Sequence, residues 1–536
     1  MDEKFHRKNE KNYNLLLINP PSGFLLDEKV FLPLGIAGIA STAIERGHNV
    51  KLLDLTSDQD YQKIVLDEIG NNSYDAVGIT GTSPQFYYAY RINKAIKKQY
   101  PDIKTIIGGS HASMFSSLRK QLIQRFSSKN NGKSIEERLY EEDPNFSRLE
   151  EFDVIAEGEE NSIFAALNSD NGKWVDGGII HDVDSVPMPA RDLFDFKSYL
   201  LDPQGTPKFK IGGKASGSII SQRGCPYGCE FCCGRDSDMY HTVKFKDSDG
   251  KSKWRTHSND RILKELDYMN NHFGLESFMF YDDEFNLNPD RTIELCQVLS
   301  SRNYSFRGFV KSDLAVKHPE VIKSMKKAGF AEVLTGIESG SDRILGRHLH
   351  KKTSPEINYR AAEILLENGI GLKALTMLGH TSESEEDIMK TRDWLLKVGK
   401  MFKNKLGSGY FTFDLTVFQP YAGCPIWDRA EKNTGEFSEQ YKWVYKTKFK
   451  GEQVDPEYGG IYFNKVDFST EHGFYKGIPG EYKAFIRTKG VPAERFVYLR
   501  DQIEYDIRNK LGMPQLPHLM KITSESQFEH SMGQRC

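Results

Sequence analysis

The 536-residue sequence predicts an α/β protein with an N-terminal doubly wound parallel sheet, a partial (β/α)6 barrel and a small C-terminal α-rich region. Near-continuous apolar segments alternate with helical ones over the first 160 residues or so, the pattern of a parallel sheet covered by helices on both faces. A second series of six βα units follows over about 200 residues, which favours a barrel whose active face is the carboxyl end of its strands. The last hundred residues lose this alternation.

Composition narrows the class of protein. The chain is 38% hydrophobic, 12% aromatic and 27% charged, so it can bury a core and is not expected to be disordered. Its net charge of −3 disfavours a nucleic-acid-binding protein. No apolar run reaches the roughly 18 residues of a membrane span, and residues 1–14 are polar, unlike a signal peptide. The expectation is a cytoplasmic protein without a membrane partner.

The N-terminal sheet is predicted from five apolar segments. The strands fall at 15–18, 50–55, 75–80, 104–107 and 152–156, with helices at 34–46 and 86–100 and a helical or loose surface insertion at 116–149. Four strands end in loops of small or polar residues, which lie where open parallel sheets bind ligands. Ordinary βα turns have the same composition, and no G-x-G-x-x-G follows the first strand, so a dinucleotide site has no support.

The barrel follows a proline-rich linker at 183–195. Its strands are predicted at 218–221, 277–281, 307–311, 332–337, 372–378 and 412–418, and the intervening helices at 260–273, 320–328, 356–368 and 385–398. Ser258 is expected to cap the first of these helices. A further helix is expected at 491–510, which gives domains at 1–195, 196–425 and 426–536.

Cysteine spacing carries the clearest chemical signal. Four of the seven cysteines lie within nine residues, and Cys225, Cys229 and Cys232 form a C-x3-C-x2-C triplet on the loop after a strand. Three thiolates can hold three irons of a 4Fe–4S cluster and leave the fourth iron open for a substrate or cofactor. A zinc site would need a second ligand pair, which is not found nearby, and a chance group of core cysteines is the other alternative. Cys233 is interpreted as structural, and no chemistry is assigned to Cys296, Cys424 and Cys536.

With an aromatic residue just before its last cysteine, the triplet resembles the cluster motif of the radical S-adenosylmethionine (SAM) superfamily. Acidic or glycine-containing segments stand at the ends of the second, fourth and fifth barrel strands, where that family contacts SAM. The resemblance implies that SAM is bound by Phe231, Asp282, Asp283, Glu284, Glu338, Ser339, Leu378 and Gly379.

The chain resembles, over most of its length, the cobalamin-binding branch of that superfamily. A Pro-Tyr-Ala-Gly-Cys-Pro segment at 420–425, the Pro-x-Pro-Ala-Arg-Asp linker at 187–192 and a Rossmann-like N-terminal domain all fit. The resemblance implies that cobalamin is bound by the loop residues Pro20, Ser22, Thr80, Gly81, Thr82, Ser83, Gly108, Gly109, Ser110, His111, Glu157, Gly158 and Glu159.

Two departures refine this expectation. The D-x-H-x-x-G motif that supplies a histidine to cobalt in many cobalamin domains is missing, as it is in many members of this branch. We therefore expect His111 near the corrin tail rather than on cobalt. No cysteine precedes Cys225, which excludes the second N-terminal cluster of methylthiotransferases, and only two cysteines follow the barrel. A single cluster is expected.

The resemblance implies a cobalamin-dependent radical SAM methyltransferase. Such an enzyme methylates an unactivated carbon of a small-molecule or peptide substrate through a 5′-deoxyadenosyl radical and methylcobalamin, and takes electrons from a partner such as flavodoxin or ferredoxin. Individual catalytic residues remain unassigned. The alternatives are an oxidative cyclase or rearrangement enzyme with the same cofactors, and a non-catalytic iron–sulfur sensor. Aromatic residues of the C-terminal region form either a lid or a packed core, namely Trp443, Tyr458, Tyr462, Phe463 and Phe474.

Overall fold

A computed structural model describes residues 11–23, 25, 27–127, 132–169, 172–208, 210–233, 254–446, 448–449, 452–453, 459–471, 483–516 and 519. The N-terminal domain is a six-stranded, entirely parallel sheet in the order β2-β1-β3-β4-β5-β6. Its strands are β1 (Asn14–Asn19), β2 (Asn49–Asp54), β3 (Ala76–Thr80), β4 (Lys104–Gly108), β5 (Val154–Glu157) and β6 (Trp174–Asp176).

Helices cover both faces of this sheet. Leu15, Leu16, Leu17 and Ile18 are each at most 2% exposed, and because consecutive side chains point to opposite faces, neither face of β1 meets solvent. The helices are α1 (Leu34–Glu45), α2 (Tyr61–Asn71), α3 (Phe86–Gln99), α4 (Gly109–Ser127), α5 (Ile135–Glu142), α6 (Asn145–Leu149) and α7 (Ser162–Leu167).

The N-terminal domain differs from the sequence-based prediction in two ways. Strand β6 was not expected, because its three residues carry too little apolar signal to be told from a loop. The residues predicted to form a loop after β4 instead begin helix α4, since Gly109 adopts a positive φ of 86° and the chain enters the helix without a connecting segment. The expected insertion at 116–149 consists of the rest of α4 followed by α5 and α6.

The second domain contains a six-stranded parallel sheet in the order β16-β15-β14-β13-β12-β9. Its strands are β9 (Gly217–Ile219), β12 (Ser277–Phe280), β13 (Ser305–Phe309), β14 (Phe330–Glu338), β15 (Gly371–Leu378) and β16 (Phe411–Val417). Helix α8 (Phe196–Leu200) and a hairpin of β7 (Lys210–Ile211) and β8 (Lys214–Ala215) precede them, and a ribbon of β10 (Gln222–Arg223) and β11 (Arg255–Thr256) flanks the cysteine segment.

Helices alternate with these strands as predicted. They are α9 (Asn259–Phe273), α10 (Pro289–Leu299), α11 (Ser312–Lys317), α12 (Pro319–Ala328), α13 (Pro355–Glu367) and α14 (Glu385–Leu406). The predicted Ser258 cap is confirmed, because its hydroxyl accepts a hydrogen bond from the Arg261 amide at 3.2 Å. The predicted fold class of a doubly wound sheet followed by a partial barrel is confirmed.

The C-terminal region contains more strand than the sequence predicts. Helix α15 (Pro425–Asp428) leads into β17 (Glu431–Lys432), β18 (Trp443–Tyr445), the short pair β19 (Lys448–Phe449) and β20 (Glu452–Gln453), then β21 (Ile461–Phe463), β22 (Ile486–Thr488) and the long helix α16 (Ala493–Leu511). Strands β17, β18, β21 and β22 form an antiparallel sheet. Trp443, Tyr462 and Phe463 are buried in it, which favours packing over a lid, while Tyr458 and Phe474 lie outside the described residues.

The insertion of the N-terminal domain contacts this C-terminal region directly. Trp427 Nε1 donates to the buried Asp143 at 2.9 Å, and Asn145 donates to the carbonyl of Val466 at 2.8 Å and accepts from the Phe468 amide at 2.9 Å. The segment that composition alone described as a surface insertion is therefore an interdomain contact. No helix in the described part of the chain is long and apolar enough to span a bilayer.

Candidate functional site

The cysteine loop is fastened to the barrel by a buried carboxylate. Asp282, just after β12, accepts hydrogen bonds from the amides of Ser221 at 2.6 Å and Gln222 at 3.0 Å, and it also accepts from the Ser221 hydroxyl. Burial raises the pKa of Asp282 to about 6, although these hydrogen bonds oppose the shift. Both carboxylate oxygens of Asp282 therefore hold the start of the cysteine loop in place. This residue, which was predicted to bind SAM, makes a structural contact.

The triplet cysteines lie on one short loop. Cys225 and Cys229 are half-buried, Cys232 is exposed, and the Cys232 amide donates to the Cys229 carbonyl at 3.2 Å. Across the described residues, no three His, Cys, Asp or Glu side chains are close enough to hold one metal ion. A cubane cluster places each thiolate on a different iron, so three thiols on one loop are the donor set that the predicted 4Fe–4S cluster needs.

Cys233 faces away from that loop. Its thiol is hydrogen-bonded to the thiol of Cys424, which is fully buried in the predicted barrel-closing segment. A side chain on Gly423 would lie 3.3 Å from the Cys233 carbonyl oxygen, so the two backbone segments are in contact. This placement agrees with the structural role predicted for Cys233.

Glu230, between the second and third cysteines of the triplet, ties the loop to the C-terminal sheet. Its buried carboxylate accepts from the Tyr445 hydroxyl of β18 and lies 3.0 Å from His350 Nδ1. Its amide donates to the Leu349 carbonyl at 3.2 Å. The loop is therefore held from the barrel side by Asp282 and from the C-terminal side by Tyr445.

Buried charges converge at the strand ends beneath the loop. Lys351 Nζ lies 2.5 Å from Glu338, which ends β14 with a positive φ of 59°, and Lys311 Nζ lies 2.7 Å from Asp313. Burial raises the pKa of Glu284 to about 7, although the charges of both lysines oppose the shift. Two cations and several carboxylates in one water-poor site suit a ligand that carries both an ammonium and a carboxylate group, as SAM does.

Unpaired polar atoms mark the end of β15. Thr381 Oγ1 and Glu383 Oε1 are buried and have no hydrogen-bond partner within the described part of the chain. The neighbouring His380 is fully buried. Burial lowers the pKa of His380 to about 4, so the imidazole is neutral at pH 7. Buried polar atoms are normally paired, so this group fits a bound polar ligand such as SAM.

The predicted SAM residues are only partly brought together. Phe231, with its ring 6.2 Å from that of His380, lies with Glu284 and Glu338 around Lys351. Ser339 instead points toward α14, where its hydroxyl lies 3.3 Å from that of Thr391. The assignment of these residues to SAM stays a prediction.

A cavity of about 310 Å³ separates the two parallel sheets at their carboxyl ends. That volume is at the lower end of ordinary ligand pockets, which span about 300–1,000 Å³. Its walls come from α1, from the ends of β3, β4 and β5, and from the cysteine-loop side of the barrel. Side chains placed on Gly35 or Gly224 would meet no atom within 4 Å, so both glycines border open space. The cavity therefore lies between the two domains, beside the strand-end loops that were predicted to contact cobalamin.

The predicted cobalamin residues divide into two groups. Thr80, Gly109, Gly158 and Glu159 line the cavity, and Gly108 lines a small slot beside it. The others do not line either space in the described structure, namely Pro20, Ser22, Gly81, Thr82, Ser83, Ser110, His111 and Glu157. Their proposed contact with cobalamin stays untested.

His111 is part of a packed core. It is fully buried, its ring stacks on Phe86 at 4.0 Å, and its Nδ1 lies 3.0 Å from the Ser83 hydroxyl. Burial lowers the pKa of His111 to about 3, which keeps it neutral. The acidic residues after β5 are likewise used within the protein: Glu157 accepts from Ser116 and Lys120, and Glu159 pairs with Arg255.

Several site residues were missed by sequence reasoning. Lys311, Lys351 and His380 follow barrel strands or loops and belong to no motif, so no local pattern marks them. Arg223 and Glu160 were also missed. Arg223 stands two residues before the cysteine triplet and Glu160 two residues after Gly158, and this closeness to predicted site residues was the only hint that they belong to the site.

Comparison with known proteins agrees with this geometry. The B12 binding domain family model matches residues 28–124, and the Radical SAM superfamily model matches residues 219–395. An uncharacterized methyltransferase of Pyrococcus horikoshii is 28% identical over 79% of this chain and 84% of its own length. The anaerobic magnesium-protoporphyrin IX monomethyl ester cyclase of Synechocystis is 21% identical over 81% of this chain and 80% of its own length.

Among solved structures, the radical S-adenosylmethionine methyltransferase TsrM from Kitasatospora setae, with cobalamin and a [4Fe–4S] cluster bound, has a TM-score of 0.51 at 15% identity. The match covers 78% of this chain and 77% of that one, and it supports the fold. The chain thus joins a B12-binding domain to a radical SAM domain, the organisation of the cobalamin-binding radical SAM enzymes. The predicted family and the predicted set of three cofactors are confirmed.

Proposed function

We propose that this chain is a cobalamin-dependent radical SAM methyltransferase acting on an unactivated carbon of a small-molecule or peptide substrate. The observation that carries the proposal is the cavity between the two strand-end edges, because it leaves space where a B12-binding domain faces a radical SAM domain. When bound, the cluster supplies the electron that cleaves SAM and cobalamin carries the transferred methyl group.

The chain's own residues position and shield these groups. Cys225, Cys229 and Cys232 would hold three irons, while Asp282 and Glu230 keep their loop in place from two sides. Lys351 and Lys311 would face the carboxylate of SAM and the negative charge of the cluster. No side chain is assigned a proton-transfer step, since a radical can abstract hydrogen from a carbon that acid–base groups cannot deprotonate.

The proposed setting follows from the same features. Electrons would come from a small redox protein such as flavodoxin or ferredoxin, and a cytoplasmic location suits the oxygen-sensitive cluster and reduced thiols. An oxidative cyclase with the same cofactors is the second candidate, suggested by the similarity to the Synechocystis cyclase, but the methyltransferase relatives favour methyl transfer.

A substrate-independent experiment separates these candidates. The protein is reconstituted anaerobically with iron, sulfide and hydroxocobalamin, reduced, and incubated with SAM carrying a deuterated methyl group. Release of S-adenosylhomocysteine together with 5′-deoxyadenosine supports the methyltransferase. Release of 5′-deoxyadenosine alone supports the cyclase and contradicts methyl transfer, and cleavage of no SAM at all contradicts both and supports a sensor.

A further inference from the structure

We propose that two interdomain ion pairs, Glu160–Arg223 and Glu159–Arg255, fix the separation between the cobalamin and the cluster. The inference rests on the proposed function, because it concerns how those two cofactors are held relative to each other. Glu159 and Glu160 follow β5 of the B12-binding sheet, whereas Arg223 and Arg255 belong to the radical SAM domain. The pairs are called the interdomain clamp below.

The contacts of the clamp are close and bidentate. Arg223 donates to Glu160 through Nη1 at 2.8 Å and Nη2 at 2.6 Å, and Arg255 donates to Glu159 at 2.5 and 2.7 Å. Arg223 Nη1 also lies 3.5 Å from Glu159, which links the two pairs. Two parallel hydrogen bonds fix orientation as well as distance.

The clamp is mostly removed from water. The side chains of Glu159, Glu160 and Arg255 are at most 9% exposed, and that of Arg223 is 20% exposed. Burial alone would raise the pKa of Glu160, but the hydrogen bonds and charge of Arg223 outweigh it and hold the pKa below its usual value. Screening by salt is weak for such buried pairs, so they resist separation.

The two arginines need these carboxylates. Arg223 and Arg255 lie directly opposite each other in the antiparallel ribbon of β10 and β11, where like charges repel. Consecutive glutamates from the other domain neutralise both at once. Seating the B12-binding domain against the ribbon thus relieves the repulsion between the two arginines.

The clamp connects to both cofactor sites through very short stretches of chain. Arg223 stands two residues before Cys225, and all four residues of the clamp line the cavity themselves. A side chain on Gly38 of α1 would come within 3.0 Å of Glu160, so the helix packs closely on the clamp as well. Displacing these pairs would therefore shift the cysteine loop and the cavity wall relative to each other.

The test measures the separation of two paramagnetic centres and needs no substrate. In the reconstituted protein, pulsed electron paramagnetic resonance reports the interaction between cob(II)alamin and the reduced cluster. We expect a narrow distribution of distances for the wild type and at least a twofold broader one for Arg223→Met and for Glu160→Gln. The charge-swapped variant E160R/R223E should restore the narrow distribution. Arg302→Met is the matched control, because Arg302 forms a bidentate pair with Asp267 away from the interface.

A second measurement uses the protein without added cofactors. Amide hydrogen exchange at residues 159–160 and 222–223 should be at least tenfold faster in Arg223→Met, and unchanged in Arg302→Met. Failure of the wild type to bind cobalamin or a cluster would overturn the proposed function. Binding of both, with wild-type distance distributions and exchange rates in Arg223→Met and Glu160→Gln, would overturn the clamp alone.

Discussion

The strand ends of the two parallel sheets face each other but differ in chemistry. On the B12-binding sheet the edge consists of small residues such as Thr80, Gly109 and Gly158, and the carboxylates nearest to it are paired with protein cations. On the barrel the edge carries buried lysines and unpaired polar atoms. Under the proposed function, the edge of small residues would face cobalamin and the edge with the buried lysines would face SAM.

The largest expected effect concerns the cysteine triplet on the barrel side. Cys229→Ala should remove the cluster, lowering iron from about four to fewer than about one per protein, because two thiolates cannot hold a cubane. Cys233→Ala should keep the cluster, since the Cys233 thiol is hydrogen-bonded to the thiol of Cys424. Iron content and electron paramagnetic resonance of the reduced protein measure both. Equal loss in the two variants would contradict the ligand assignment.

The next effect concerns cobalamin binding alone. Gly35→Leu places a side chain into the open space of the cavity and suits a helix, so it should weaken cobalamin binding at least about tenfold, or about 1.4 kcal/mol, and leave iron content unchanged. Absorbance of bound cobalamin after gel filtration is the measurement. Gly490→Leu is the control, because it also meets open space but lies in the C-terminal region. Unchanged cobalamin binding in Gly35→Leu would place the cofactor elsewhere.

Removing one buried positive charge at the strand ends of the barrel tests whether the two edges bind different ligands. Lys351→Met leaves Glu338 and the nearby Glu284 without this cation, so the carboxylate of SAM should be repelled and SAM affinity should fall about 10- to 100-fold. Cobalamin binding should not change. Equilibrium dialysis with labelled SAM measures the effect. Lys373→Met, which breaks the Lys373–Asp414 pair in the lower half of the barrel, should leave SAM affinity at the wild-type level.

The last effect concerns the stability of the fold and not the binding of a cofactor. Burial raises the pKa of Glu383 to about 8, although the amides of Gly379 and His380 donate to it. A folded-state pKa above the unfolded value of about 4.3 means that the native state keeps the proton longer, so stability is present at low pH and is lost as pH rises through about 8. Glu383→Gln should remove this loss. The difference in unfolding free energy between variant and wild type should grow by about 1.4 kcal/mol per pH unit between about pH 5 and 8.

Urea denaturation across that pH range checks the stability prediction. Glu157→Gln is a suitable comparison, because burial raises the pKa of Glu157 too, but its carboxylate is paired with Lys120. Its pH dependence should be weaker. A difference that stays flat with pH for Glu383→Gln would show that Glu383 is ionised in the native state.

The strands and helices could be predicted from the sequence because each depends mainly on its own residues. Apolar runs, caps such as Ser258 and the cysteine spacing are local, and the structure contains the predicted strands and helices within a few residues. Two errors followed from the same limit. Three-residue β6 carries too weak a pattern, and the antiparallel sheet of the C-terminal region is made of strands too short to register as periodic.

The candidate site was predicted less completely. The cysteine triplet and the strand-end loops could be found from motifs, whereas Lys351 and His380 follow no pattern and become visible only beside Phe231 and Glu338. Asp282 and Glu159 show the converse. Both belong to motifs, yet the folded chain uses their oxygens for internal contacts.

The sequence by itself determined the order of domains, the three thiols and the glycine-rich strand ends, because spacing along the chain is enough to specify them. Only the tertiary structure decided which polar side chains meet: Glu160 with Arg223, Glu230 with Tyr445 and Cys233 with Cys424. Those partners lie 63, 215 and 191 residues apart. Contacts at such separations depend on how whole sheets and helices pack, and no local pattern records that packing.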